Sequence, residues 1–159
     1  MLKYANYGVV FQEIPGETTL SINISSCPIH CKGCHSTYLW DDIGEKLDEE
    51  SLEVILSKYE DEITCVCFMG GDRYPAIVNS LAVYVRMSRP WLKIGWYSGK
   101  DELSSLVHSA NFDYIKLGPY DEKLGGLKSP GTNQRLYRID NGSWIDYTSK
   151  FWKHGKLQD

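Results

Sequence analysis

Three cysteines, Cys27, Cys31 and Cys34, stand in the fragment SSCPIHCKGCHSTYLW with the spacing C-x3-C-x2-C and no fourth cysteine close to them. Thiolates at such short intervals converge on one soft metal centre from a single loop, and Gly33 lets the backbone turn tightly between two of them. Iron-sulfur clusters are ordinarily held by four cysteines, so three thiolates on a 4Fe-4S cube leave one iron open to a further ligand. Two other readings compete: His30 or His35 completes a Cys3His zinc site, or the thiols hold nothing. Structural zinc sites usually add a second ligand pair farther along the chain, and none is evident. The remaining cysteines, Cys65 and Cys67, lie two apart in the apolar run ITCVCFM. They share one face of a strand and read as core packing, because free cysteine is among the most buried residue types.

The elements that must position this loop follow from periodicity. Residues 19–25 (TLSINIS) alternate Leu20, Ile22 and Ile24 with polar neighbours, the pattern of a half-buried strand, and deliver the chain directly into the cysteines. From Asp48, an N-cap, Leu52, Ile55, Leu56 and Tyr59 recur at helical spacing, with Leu47 and Leu52 placed as a hydrophobic staple. Residues 63–69 form a short apolar strand closed by Gly70 and Gly71. Pro75 opens a second helix, with Ile77, Val78, Leu81 and Val85 inward, which ends at Arg89-Pro90. Residues 92–97 read as a strand, 101–109 as a short helix capped by Asp101 with Leu103, Leu106 and Val107 inward, and 114–118 as a further strand. Residues from 119 onwards are Gly- and Pro-rich without a period, a long loop. A hairpin follows, turning at Asn141-Gly142.

Alternating strands and helices predict an α/β fold with a parallel sheet. Four or five such units are too few to close an eight-unit barrel of about 250 residues, which leaves an open, partial β/α barrel. One domain over 1–159 is expected, with a core of about 19–118 and a C-terminal loop and hairpin at 119–147. Ligands of such sheets bind at the carboxyl ends of the strands, so the cysteines and Gly70-Gly71 belong to one rim.

On these residues the chain resembles a known superfamily. C-x3-C-x2-C is similar to the signature of radical S-adenosylmethionine enzymes, and CPIHCKGCHSTYLW resembles their glycyl-radical-activating branch. Gly70-Gly71-Asp72 resembles the element with which that superfamily holds the amino group of the methionine moiety. The segment SPGTNQRLYRI, with Asn133, Gln134 and Arg135, resembles the C-terminal part of the activating proteins of anaerobic ribonucleoside-triphosphate reductase. The resemblance implies one 4Fe-4S cluster on Cys27, Cys31 and Cys34, and S-adenosylmethionine bound with the help of Gly33, His35, Gly70, Gly71 and Asp72. It implies reductive cleavage to a 5′-deoxyadenosyl radical, which generates a glycyl radical on the reductase. Asn133, Gln134 and Arg135 then face that partner, and an electron donor such as flavodoxin or ferredoxin is needed. Catalytic residues beyond the cluster and cofactor ligands are not implied. Two departures stand out: Arg73 follows Asp72 where the family often has proline, and Lys116 occupies a strand position that is often acidic. No role carries over to Lys116, which reads as a solvated or salt-bridged side chain.

Composition narrows the alternatives. With 17 Lys and Arg against 21 Asp and Glu in 159 residues, the net charge is −4, and nothing announces nucleic-acid binding. No run approaches the ~18 apolar residues of a membrane span, and the first residues lack a signal-peptide pattern, which makes the cytoplasm the expected location. The competing functions are a radical enzyme acting on another glycyl-radical enzyme or a small metabolite, and a non-catalytic Cys-rich metal-binding module.

Overall fold

The computed structural model describes residues 1–152; the last seven residues of the expected domain lie outside the described part. Eight strands form one open sheet: β1 (Lys3–Val10), β2 (Thr19–Ile24), β3 (Glu45–Lys46), β4 (Cys65–Met69), β5 (Lys93–Tyr97), β6 (Tyr114–Leu117), β7 (Arg135–Asp140) and β8 (Ser143–Asp146). Their order is β3-β1-β2-β4-β5-β6-β7-β8, with β3 and β8 at the two edges. The central four, β2, β4, β5 and β6, are mutually parallel. The outer strands on each side are antiparallel.

Two helices, α1 (Glu49–Tyr59) and α2 (Pro75–Ser88), provide the long crossovers. Asp48 caps α1 through a reciprocal box with Ser51: the Ser51 N–H donates to Asp48 Oδ1 and the Asp48 N–H to Ser51 Oγ, both at 2.9 Å. Leu52, Ile55 and Leu56 of α1 and Val78, Leu81, Ala82 and Val85 of α2 are buried against Leu20, Ile22, Ile24, Val66, Phe68, Ile94, Trp96 and Ile115. Alternate strand residues turn to the other face, where Cys65, Cys67, Tyr114 and Leu136 pack with Ile14 and Phe151. No helix of the described residues is long and apolar enough to cross a membrane.

Several expectations need correction. The sheet begins at Lys3, not at residue 19: β1 pairs with β2, yet its residues are nearly all half-buried, so no clean alternation marks it. Ile77 faces outward, and Ala82 completes the buried stripe of α2. The helix expected over 101–109 is absent; that stretch is turns ending in a short 3-10 segment at Ser109–Asn111, and Leu106 is exposed. Ser104 Oγ accepts the Leu106 N–H at 3.2 Å and Asn79 Oδ1 accepts the His108 N–H at 3.0 Å, bonds that compete with the helical ladder. The hairpin turns at Asn141-Gly142 with φ of 49° and 85°, the paired positive values of a type I′ turn.

Candidate iron-sulfur site

β2 ends at Ile24, and the next residues carry the cysteines past the carboxyl ends of the parallel strands. Two backbone bonds tie the entry to this loop to its exit, Ser26 N–H to Asp41 O at 3.0 Å and Cys27 N–H to Leu39 O at 2.8 Å. Left-handed backbone at His30 and Gly33, φ 53° and 78°, reverses the chain on either side of Cys31. Cys27, Cys31 and Cys34 are half-buried free thiols. Two of the sulfurs accept backbone N–H bonds at 3.3 Å, Cys34 Sγ from Ser36 and Cys31 Sγ from Tyr120.

Among the described residues no three His, Cys, Asp or Glu side chains gather tightly enough for a single metal ion. Sulfurs around one tetrahedral zinc lie about 3.8 Å apart, whereas thiolates on a 4Fe-4S cube each bind a different iron. N–H donors directed at sulfur also suit thiolate ligands, whose charge they stabilise. A family model described as a 4Fe-4S single cluster domain matches residues 15–115. The chain belongs to that family. Comparison with curated proteins and with solved structures gave no match. The matched segment of this iron-sulfur domain runs from before β2 into β6 and contains all three loop cysteines.

The histidines of the loop separate. His30 stacks on Trp40 with ring centroids 4.5 Å apart, while exposed His35 stands 5.6 Å from the Tyr120 ring. His35 and Tyr120 border a cavity of about 590 Å³ together with Tyr97, Glu13, Leu127 and Phe151. Gly33 has a further reason to be glycine: a Cβ there would stand 2.5 Å from Glu122 Oε2, so the long loop after β6 lies directly over the cysteine segment.

Gly70, Gly71 and Asp72 follow β4 onto the same rim, but they face inward. Gly70 and Gly71 have φ of 105° and 96°, and a Cβ on Gly71 would meet Val78 Cγ2 at 2.6 Å. The space beside Gly71 is thus filled by α2. The Gly70 carbonyl accepts Trp96 Nε1–H at 2.7 Å. Asp72 is buried, and its carboxylate accepts the Ser98 hydroxyl on one oxygen and the Gly99 N–H, at 2.8 Å, on the other. It latches the end of β4 to the end of β5. Arg73, which stands where the resembled superfamily often has proline, donates its Nε–H to Ser26 O at 2.9 Å, one residue before Cys27.

Lys116 corrects the expectation of a solvated or paired lysine. It is buried, and Nζ donates to Ser98 O at 2.9 Å and to Gly118 O at 3.0 Å while lying 5.6 Å from the centroid of the Tyr97 ring. Burial pushes its pKa down to about 8, against the opposing pull of Asp72 and the sulfurs of Cys31, Cys67 and Cys27. Cys65 and Cys67 are fully buried as expected, and burial raises both thiols well above their ordinary range.

The segment expected to face a partner is engaged within the chain. Asn133 Nδ2 donates to Pro119 O at 3.0 Å, and buried Gln134 donates Nε2–H to Gly118 O at 3.4 Å. Arg135 pairs with Asp146 at 3.4 Å and lies 5.9 Å from the Trp152 ring centroid. Sequence reasoning missed Ser98, Tyr120 and Glu122, whose contacts join segments far apart in the chain. For Tyr120 and Glu122 the available signal was composition, a Gly- and Pro-rich loop after a parallel strand, and for Ser98 there was none.

Proposed function

We propose that this iron-sulfur domain is an activating enzyme that cleaves S-adenosylmethionine reductively and generates a glycyl radical on anaerobic ribonucleoside-triphosphate reductase. The observation that carries the reading is the donor count. Three thiols of one loop, Cys27, Cys31 and Cys34, stand at the carboxyl ends of parallel strands beside a cavity, and no other cysteine joins them. When bound, a cluster on three thiolates supplies one iron open to a chelating ligand and the electron for reductive cleavage.

The chain's own residues have separate tasks. His35, Tyr97 and Tyr120 line the cavity and offer apolar faces to a flat heterocycle. Buried Lys116 has two of its three donors on carbonyls and, among the described residues, no bonded carboxylate, and in this reading it places a positive charge behind the site for an anionic group such as the cofactor carboxylate. Asp72 acts through position: it fixes Ser98 and thereby the carbonyl that holds Lys116. In this reading the loop after β6, which packs on Gly33, shields the radical from water, as such a reaction demands. The reductase, an electron donor of the flavodoxin or ferredoxin kind and a cytoplasmic location belong to this proposal.

Anaerobic reconstitution with iron and sulfide, followed by absorbance and electron paramagnetic resonance with and without S-adenosylmethionine, tests it. A cluster signal that changes on adding S-adenosylmethionine, with 5′-deoxyadenosine released under reduction and a glycyl radical on the reductase, is the expected result. Bound zinc without a cluster signal overturns the reading in favour of a metal-binding module.

A further inference from the structure

The two N–H groups that reach cysteine sulfur have different origins. Ser36 donates to Cys34 from two residues away, a bond that forms whenever the loop forms. Tyr120 donates to Cys31 from 89 residues away, so its N–H is aimed only if the end of β6 is held in place. The turn from Gly118 to Tyr120 is tethered at every carbonyl before that donor. Lys116 Nζ and Gln134 Nε2 bind Gly118 O at 3.0 and 3.4 Å, and Asn133 Nδ2 binds Pro119 O at 3.0 Å. Gly118 gives its own N–H to Lys100 O at 2.7 Å, and Pro119 has none. Tyr120 therefore carries the one donor of the turn that is free for the sulfur. Gly118 sits at φ 109°, and a Cβ there would lie 3.1 Å from Gln134 Cα, so the β7 segment packs against the turn.

We propose that this turn sets the reduction potential of the cluster through the Tyr120 N–H bond to Cys31, with Lys116, Asn133 and Gln134 as its positioning residues. The inference rests on Cys31 being a cluster ligand, and not on what the enzyme acts upon. A donor aimed at a ligand sulfur favours the more negative, reduced cluster, and hydrogen bonds to sulfur are among the main levers on cluster potential. Losing the bond shifts the reduction equilibrium towards the oxidised form by about tenfold, which for one electron is about 59 mV to more negative potential.

The test uses the full chain carrying a reconstituted cluster, titrated with mediator dyes and read by electron paramagnetic resonance. Replacing the Tyr120 peptide N–H by an ester oxygen removes the donor and keeps the side chain. Iron and sulfide content should match the parent, and the midpoint should fall by about the amount above. Asn133→Ala, at an exposed position where the core is untouched, should move it the same way by less. Tyr120→Phe, which keeps the N–H, should leave it in place. An unchanged midpoint in a fully loaded ester variant overturns the proposal, and so does an equal shift in Tyr120→Phe. A parent chain that takes up no iron overturns the ligand assignment itself, by a separate observable.

Discussion

Arg89 and Lys116 are both buried cations, at opposite ends of the parallel strands, and their surroundings differ in kind. Arg89 closes α2 and meets two carboxylates: Glu53 bidentately at 2.7 and 2.9 Å, and Glu60 Oε2 from Nε and Nη2 at 3.0 and 2.7 Å. Its pKa rises, with the Glu53 hydrogen bonds as the largest cause, and Glu53 falls to about 2 through the same bonds and that from Tyr84. Lys116 receives only neutral carbonyls and falls to about 8. A charge matched by carboxylates joins α1 to α2 and has no further chemistry to offer. A charge hydrogen-bonded to carbonyls alone, with Asp72 and the cysteine sulfurs acting on it only through space, has less of its burial offset. Perturbed, unpaired titratable groups in clefts mark functional sites more often than matched pairs do.

The sharpest way to break this division between a structural end and a chemical end is at the cysteines. Cys27→Ala, Cys31→Ala and Cys34→Ala should each abolish the cluster, seen as loss of the charge-transfer absorbance and of bound iron, while the chain keeps its helical circular dichroism. Cys65→Ala and Cys67→Ala should retain the cluster and lower stability by about 1 kcal/mol. If either buried thiol proves essential for iron, the division fails.

Gly71 tests where the structural part ends on the rim. The family resemblance makes it a point of close cofactor approach, so that a side chain would weaken binding alone. With φ at 96° and Val78 Cγ2 only 2.6 Å from where a Cβ would stand, Gly71→Ala should instead destabilise the fold by about 2–4 kcal/mol, read from urea midpoints. A folded, equally stable Gly71→Ala chain with weakened S-adenosylmethionine binding would restore the role that the resemblance implies.

What was legible follows the range of the interactions. The Asp48 cap, the Leu47, Leu52, Ile55 and Leu56 stripe, the strand around Cys65 and Cys67 and the Asn141-Gly142 turn are each set within a few residues, and each was visible in the sequence. The spacing of Cys27, Cys31 and Cys34 is local too. The 101–109 segment misled because its apolar spacing is helical, whereas Asn79, from α2, takes the His108 N–H. β1 was hidden because its half-buried residues weaken the two-residue period. The Tyr120 bond to Cys31 and the burial of Lys116 depend on strand order, which no short window contains.

At the structural end, Arg89→Met should lower stability by about 1–2 kcal/mol, less than a fully buried pair would give, because Glu53 is substantially exposed. Cluster content and potential should not change. The pH dependence carries the same signature. Glu53 has a depressed pKa in the folded chain, so its contribution is present above its ordinary 4.5 and is lost as pH falls towards about 2. Glu53→Gln should flatten that acid limb in a series of urea midpoints. An unaltered limb would mean that the pair with Arg89 does not govern acid stability.

The smallest effect on stability is expected at the chemical end. Lys116→Met removes an uncompensated buried charge but leaves Ser98 O and Gly118 O without that donor, so near neutral pH the two terms offset to within about 1 kcal/mol. S-adenosylmethionine affinity should nonetheless fall about tenfold, as for loss of one charge-assisted bond, which Arg89→Met should not reproduce. The alkaline limb separates the lysine from its neighbours. Its folded pKa, about 8, lies below the ordinary 10.5, so between these values the unfolded chain holds a proton that the folded chain has released. The Lys116 contribution to stability therefore rises with pH across that window, by about 1 kcal/mol over the first unit above pH 8. Cys65, Cys67 and Tyr97 act in the opposite sense, since burial raises their pKa and their stabilisation is lost as pH rises. Cys65 and Tyr97 are common to the parent and Lys116→Met and cancel in the difference between the two, whereas Cys67 cancels only in part, because Lys116 pulls its thiol down. A parent that gains stability relative to Lys116→Met from pH 8 to 9 supports an ammonium whose burial outweighs the pull of Asp72 and the cysteine sulfurs. A difference independent of pH would mean that Lys116 is compensated after all, and that the contrast with Arg89 does not hold.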